Sequence, residues 1–297
     1  MKTLEPGVWA VVPTPFDDDL QVDVASLEKL VSFYDGLGVT GLTVLGVFGE
    51  AAALSRPERD LVLRTVSRTS ARPLVIGLTA THTAPAIEEA AATLAVLTPA
   101  ALMVQVNSPS PDAGATHFGA VAAHTGLPVV VQDYPVASGV SIGTGPLAEL
   151  VGRLGPQVAA IKAEAPPTPP AVADLAGLGV PVFGGLGGIG LLDELAAGSA
   201  GAMTGFSCPE GLLACVRAFR SGGYDAARQA WTPYLPLVNF EQQAKIALAI
   251  RKECFRERGL IATARVRPPA AAFPESLRPQ LRRHLAAVPE PALTMEG

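Results

Sequence analysis

Short apolar runs bounded by Gly, Pro or polar residues recur along this chain at 8–12, 41–45, 74–77, 101–106, 129–132, 158–162, 180–184 and 200–204. Runs of that length and composition read as buried parallel strands. Segments with helical periodicity lie between them, at 23–37, 56–67, 84–97, 117–125, 146–154, 171–178 and 191–197, and 211–220 completes an eighth. The first starts at an acidic cap, Asp23, and places Leu27, Leu30, Val31 and Tyr34 on one face. Strand and helix thus alternate eight times with short connections, which predicts an α/β fold of parallel strands with crossover helices. Eight such units closing on themselves form a (β/α)8 TIM barrel, whose active site lies at the C-terminal ends of the strands. An open doubly wound sheet is the competing architecture.

Beyond Pro209 the texture changes. Segments 224–234, 240–258 and 277–287 are helical in pattern with no strands between them, and the stretch 265–274, RVRPPAAAFP, is unsuited to a regular helix. The expectation is a barrel over 1–222 and a C-terminal helical appendage over 223–297, with a frayed end at 289–297.

Composition narrows the function. Of 297 residues 49% are apolar and only 16% charged, so much of the chain should be buried. A net charge of −5 with no basic cluster argues against nucleic acid and acidic membrane surfaces. The longest apolar stretches are strand-sized, too short to span a bilayer. The first twelve residues lack the apolar core of a signal peptide, so a cytoplasmic location is expected. Cys208, Cys215 and Cys254 have no metal or disulfide spacing and read as buried thiols. His82 and His117 fall in mouth-side segments without a second ligand at suitable spacing. No metal and no cofactor is expected.

The chemistry concentrates at 158–170, VAAIKAEAPPTPP. An ammonium is rarely placed at the end of an apolar strand unless something requires it. A lysine desolvated there can attack a ketone and form a Schiff base. The bland reading is a lysine that snorkels to solvent. Residues two apart in a strand face the same way, so Glu164 shares the face of Lys162 if the strand persists and can serve as the base that moves a proton next to the imine. Its bland reading is a pair with a neighbouring loop. On the fifth strand, Tyr134 lies two residues after Gln132. Its hydroxyl is a candidate relay, unless Pro135 turns it into packing. The Gln132 amide is a candidate hydrogen-bonding partner for the imine or a substrate hydroxyl. From Gly185 the run GLGGIG matches the dinucleotide fingerprint. A lone match this late in the chain carries little; in a barrel, the same glycines let backbone approach a ligand.

These residues resemble the dihydrodipicolinate synthase/N-acetylneuraminate lyase family of pyruvate-type class I aldolases, from Val8 to about Ala287. Pro13-Thr14-Pro15-Phe16 is similar to the family's TPF turn. Gly46-Val47-Phe48-Gly49-Glu50, with Leu54-Ser55 and Glu58, is similar to its GTTGE signature, and Ile161-Lys162 sits where the family carries its imine-forming lysine. The resemblance implies a homo-oligomer (dimer or tetramer), a small-molecule 2-keto acid as partner, and an imine on Lys162. Departures matter too. Val47 and Phe48 replace the two threonines that hold the keto-acid carboxylate, leaving their backbone N–H groups to bind it. Gln132 replaces the relay tyrosine and Ala137 the arginine for a second carboxylate. These losses count against dihydrodipicolinate synthesis. The versions QDYP and KAEAP look more like the branch of 2-keto-3-deoxy sugar acid dehydratases and aldolases.

A charge count then bounds the substrate. In the segments following the eight strands, Arg56 and Lys162 are the only cations, which disfavours a second carboxylate or a phosphate. Phe48, Met203 and Phe206 make the expected mouth partly apolar. Gly185 and Met203 join Val47, Phe48 and Gln132 as expected substrate contacts. The reading is a Schiff-base-forming lyase, a dehydratase of a 2-keto-3-deoxy sugar acid. A retro-aldolase releasing pyruvate and a non-catalytic keto-acid-binding barrel are the alternatives. Glu50 is left between bracing its turn and touching substrate.

Overall fold

The computed structural model describes residues 2–290. Most of the expected frayed end lies outside them. Eight parallel strands pair in chain order and close: β1 (Gly7–Val11), β2 (Gly41–Val44), β3 (Leu74–Gly77), β4 (Ala101–Gln105), β5 (Val129–Asp133), β6 (Val158–Ala163), β7 (Val182–Gly184) and β8 (Gly201–Thr204). Closure is made by β8 against β1, with Trp9 opposite Met203. The open-sheet alternative is excluded.

Period-two alternation assigns the two faces. Trp9, Val11, Met103, Val130, Ala160, Phe183 and Met203 pack inside the barrel. Val8, Ala10, Val44, Ile76, Val104, Val131 and Ile161 face outward into a second apolar layer under the helices. That outer layer is covered by α1 (Val24–Leu37), α2 (Arg56–Thr69), α3 (Thr83–Leu94), α4 (Pro111–Thr125), the single turn α5 (Pro135–Ser138), α6 (Thr144–Leu154), α7 (Thr168–Leu175), α8 (Leu191–Ala196) and α9 (Pro209–Trp231). Asp23 caps α1 through its side chain onto Ser26 N at 3.0 Å. Helix α4 begins six residues before the expected start, because Ser110 caps it and Pro111 suits its first position.

The C-terminal segment departs most from the pattern. Helix α9 runs on through a kink at Gly223, where φ is 71°. The stretch read as one helix over 240–258 is two. Helix α10 (Leu235–Phe240) stops, residues 241–246 turn, and α11 (Ala247–Glu257) begins. Tertiary bonds override helix propensity there. The Glu241 side chain is buried and held by the Ser207 hydroxyl and by Arg251 Nε, and Gln242 Nε2 donates to the Leu186 carbonyl at 2.8 Å. Lys245 takes a left-handed conformation, φ 70°. After an extended stretch, α12 (Arg278–Ala287) closes the described chain.

Candidate active site

Strands β5 and β6 bring the chemistry together. Gln132 is the register partner of Lys162, and both have the parity of the barrel interior at its C-terminal end. Glu164, one residue past β6, keeps that parity because its N–H still bonds the Asp133 carbonyl at 2.9 Å. Lys162 Nζ lies 3.0 Å from Glu164 Oε2. Gln132 Nε2 donates to the same oxygen at 2.7 Å, and Leu186 N approaches Oε1 at 3.4 Å. The lysine is 5% exposed and does not snorkel out of the strand end. A buried ammonium is tolerable here because a carboxylate faces it.

These groups open on a cavity of about 400 Å³, also lined by Val47, Phe48, Tyr134, Thr204, Gln242, Lys245 and Arg251. A larger cavity, about 500 Å³, adjoins it along Val47, Gln132 and Leu248, and runs between the ends of β2–β4 and residues 267–270. It contains no lysine, whereas the smaller one is lined by Lys162 and Glu164. Val47 and Phe48 open a 3-10 turn. As its first two residues, their N–H groups have no acceptor within the turn. Phe48 fills the space left by Gly205, where an added Cβ would sit 2.2 Å from its ring.

Glu164 pairs with the lysine, and two further buried carboxyl groups, Asp133 and Glu194, feel the charge of Glu164. Asp133 is pushed up to about 6, first by burial and then by the charge of Glu164. Its Oδ1 is buried without a partner. Glu194, on α8, rises to about 7, mainly by burial; Thr168 Oγ1 donates to its Oε1 at 2.5 Å, and its Oε2 is unpartnered. Burial and the Glu164 charge also push the Tyr134 phenol up.

Several expected residues lie elsewhere. Met203 is fully buried inside the barrel and lines neither cavity, because its register opposite Trp9 sets it below the mouth. Gly185 gives room to a side chain of the protein itself: a Cβ there would sit 2.2 Å from Glu164 Oε1. Glu50 braces. It accepts from the fully buried Lys252 and from Arg267 N at 2.8 Å, tying the 47–49 turn to the C-terminal segment. Arg56 pairs with Asp60 on α2 and is absent from the lysine cavity. The cations that do reach the cavity, Arg251 and Lys245, come from the C-terminal segment, so the loop-based charge count missed them. Their sequence signal was faint: Ala247, Leu248 and Arg251 share one helical face, behind a polar run. His117 hydrogen-bonds Thr83 Oγ1 at 3.0 Å, away from the lysine.

Residues 5–288 fit the model of the Dihydrodipicolinate synthetase family. The chain belongs to that family. Its members are lyases, and this chain is similar to several of them. The L-2-keto-3-deoxyarabonate dehydratase of Azospirillum brasilense is 33% identical over 294 residues, covering 95% of this chain and 93% of that one. The 4-hydroxy-tetrahydrodipicolinate synthase of Shewanella sp. (strain W3-18-1) is 34% identical over 150 residues, 49% of this chain and 51% of that one. Among solved structures, the dihydrodipicolinate synthase of Rhodopseudomonas palustris superposes with a TM-score of 0.88 at 27% identity, over 97% of this chain and 100% of that one.

Proposed function

We propose that this family member is an imine-forming lyase that dehydrates a 2-keto-3-deoxy sugar acid. The observation that carries the reading is the buried trio Lys162, Glu164 and Gln132 lining one cavity. The full-length similarity to a 2-keto-3-deoxyarabonate dehydratase supports the substrate class. In this reading the Val47 and Phe48 amides hold the keto-acid carboxylate. The Lys162 amine attacks C2, and loss of the ketone oxygen as water leaves an iminium. Glu164 then takes a C3 proton, and the enamine so formed expels the C4 hydroxyl. Tyr134, whose phenol burial keeps protonated, donates to the departing oxygen and recovers its proton from Glu164. Water then hydrolyses the imine and restores Lys162. Aldol cleavage is the second reading, because Tyr134 lines the same cavity. It requires the phenol to take the C4 hydroxyl proton, and the upward shift opposes that step.

Borohydride trapping with pyruvate tests the reading. The wild type should gain one pyruvate-derived mass and Lys162→Ala none; equal labelling of the two would refute the imine assignment. Glu164→Gln should keep the label and lose about 100-fold or more in turnover, because a positioned proton-transfer group contributes on that order. Tyr134→Phe should cost less. The reverse ranking, with pyruvate and an aldehyde as products, favours cleavage. Absence of label in the wild type leaves the non-catalytic binding barrel.

A further inference from the structure

Charge in the cavity is unbalanced. Lys162, Lys245 and Arg251 line it with a single carboxylate, Glu164, and the buried Glu241 behind Arg251 offsets only one of these cations. The imine chemistry uses Lys162 and Glu164, and nothing in that chemistry requires the other two cations.

Arg251 is built into place. Its Nε donates to the buried Glu241 carboxylate at 3.0 Å, and its guanidinium lies 5.6 Å from the centre of the Phe48 ring. Gly187 makes room for it: that residue has φ 68°, and a Cβ there would stand 2.3 Å from Arg251 Nη2 and 2.3 Å from Gln242 Nε2. Among the described residues neither Nη has a hydrogen-bond acceptor, nor does Lys245 Nζ. A guanidinium fixed along one edge, with its other nitrogens unpaired in a residue that lines a cavity, is arranged for a planar anion. Lys245 reaches the cavity from a left-handed backbone conformation that a lysine rarely adopts. Strain of that kind persists where the surrounding structure enforces it, often at a binding site.

The keto-acid end of the substrate is fixed by the imine at Lys162 and, in the proposed reading, by the Val47 and Phe48 amides. Arg251, on α11, and Lys245, in the turn before it, belong to the C-terminal segment that covers the mouth, and they meet whatever extends away from the strand ends. We propose that Arg251 and Lys245 form an anion subsite for the end of the substrate remote from the imine, so that the preferred substrate is a 2-keto-3-deoxy sugar diacid. This rests on the imine reading and reverses the expectation, drawn from the loops alone, that a second carboxylate is disfavoured.

Matched unsubstituted keto acids test it without the natural substrate. Borohydride trapping on Lys162 is followed by mass as a function of concentration, for 2-oxoglutarate against 2-oxopentanoate and for 2-oxoadipate against 2-oxohexanoate. Each pair has equal length and differs in the remote carboxylate. The diacid of at least one pair should half-saturate at about 30-fold lower concentration, the size of a charge-assisted contact. Lys245→Met should erode that ratio and Arg251→Met should abolish it, with Arg251→Lys intermediate. Equal half-saturation of acid and diacid at both lengths in the wild type overturns the subsite, and so does an Arg251→Met variant that weakens both members of a pair alike. Should Arg251→Met fail to fold, the wild-type ratio and Lys245→Met still decide. Failure of every keto acid, pyruvate included, to label the wild type refutes the imine reading instead.

Discussion

Gly185→Ala tests the assignment of Glu164 without touching any group that reacts. An alanine Cβ at this position would sit 2.2 Å from Glu164 Oε1, 2.5 Å from its Cγ and 2.6 Å from its Cδ. Ordinary carbon contacts begin near roughly 3.5 Å, so the carboxylate must retreat by roughly 1 Å. That movement is directed away from the β7 loop. It disturbs the bonds that hold the carboxylate, 3.0 Å to Lys162 and 2.7 Å to Gln132. A catalytic group misplaced by about 1 Å costs on the order of 100-fold in rate. Lys162 itself is held by its strand register opposite Gln132 and Phe183, so imine formation should survive. The assay is paired: pyruvate labelling under borohydride, then steady-state turnover of a 2-keto-3-deoxy acid. Labelling within about threefold of wild type, with turnover down by on the order of 100-fold, is the expected split. Full turnover in a variant that folds would refute the view that Glu164, in this orientation, moves the proton. Loss of labelling and turnover together would place the defect at the imine and remove Glu164 from the argument.

Two further outcomes follow from buried charges. Glu194 has an ordinary value of 4.5 and stands at about 7 in the fold. Between those values the unfolded chain releases a proton that the folded chain keeps, so stability falls with rising pH across that window by about 3 kcal/mol. Glu194→Gln should flatten this segment of the pH–stability profile; an unaltered slope contradicts the assignment. Lys252→Met strands the buried Glu50 carboxylate and should cost about 3–5 kcal/mol in denaturant titration. Adding Glu50→Gln should recover much of the loss, and a double variant no better than the single would show that the pair is not the brace.

The barrel was legible because each strand announces itself. Runs such as LVIG at 74–77 and VAAIKA at 158–163 are apolar, short and bounded by breakers, and the sheet pairs them in chain order. The trio was legible for the same reason: parity alone puts Lys162 and Glu164 on one face, and chain-order pairing sets β5 beside β6. Parity has no depth, however. Met203 has the correct face and the wrong level, because the register of β8 against β1 is set by pairing across the whole chain length. Arg56 failed differently. Its helix is fixed by a capping box between Ser55 and Glu58, which makes Arg56 the first helical residue and turns its side chain to Asp60 on the same helix.

The helical tail was legible as helices and illegible as part of the site. Local periodicity says which residues share a helix face but not what that face meets, and the break at 241–246 comes from bonds to Ser207 and Leu186, distant in sequence. Arg251 and Lys252 are neighbours on α11 and meet the same turn from two sides. Lys252 anchors on Glu50 at the end of that turn, and Arg251 lies over the Phe48 ring within it. One helix therefore fixes both the turn that carries Val47 and Phe48 and the cation that faces the cavity. The barrel supplies Lys162 and Glu164, and the tail adds Lys245 and Arg251 to the space before them. On the proposed function, exchanging residues at 241–251 should alter which keto acid is held while leaving Lys162 and its strand intact. Specificity should then change without rebuilding β5 and β6.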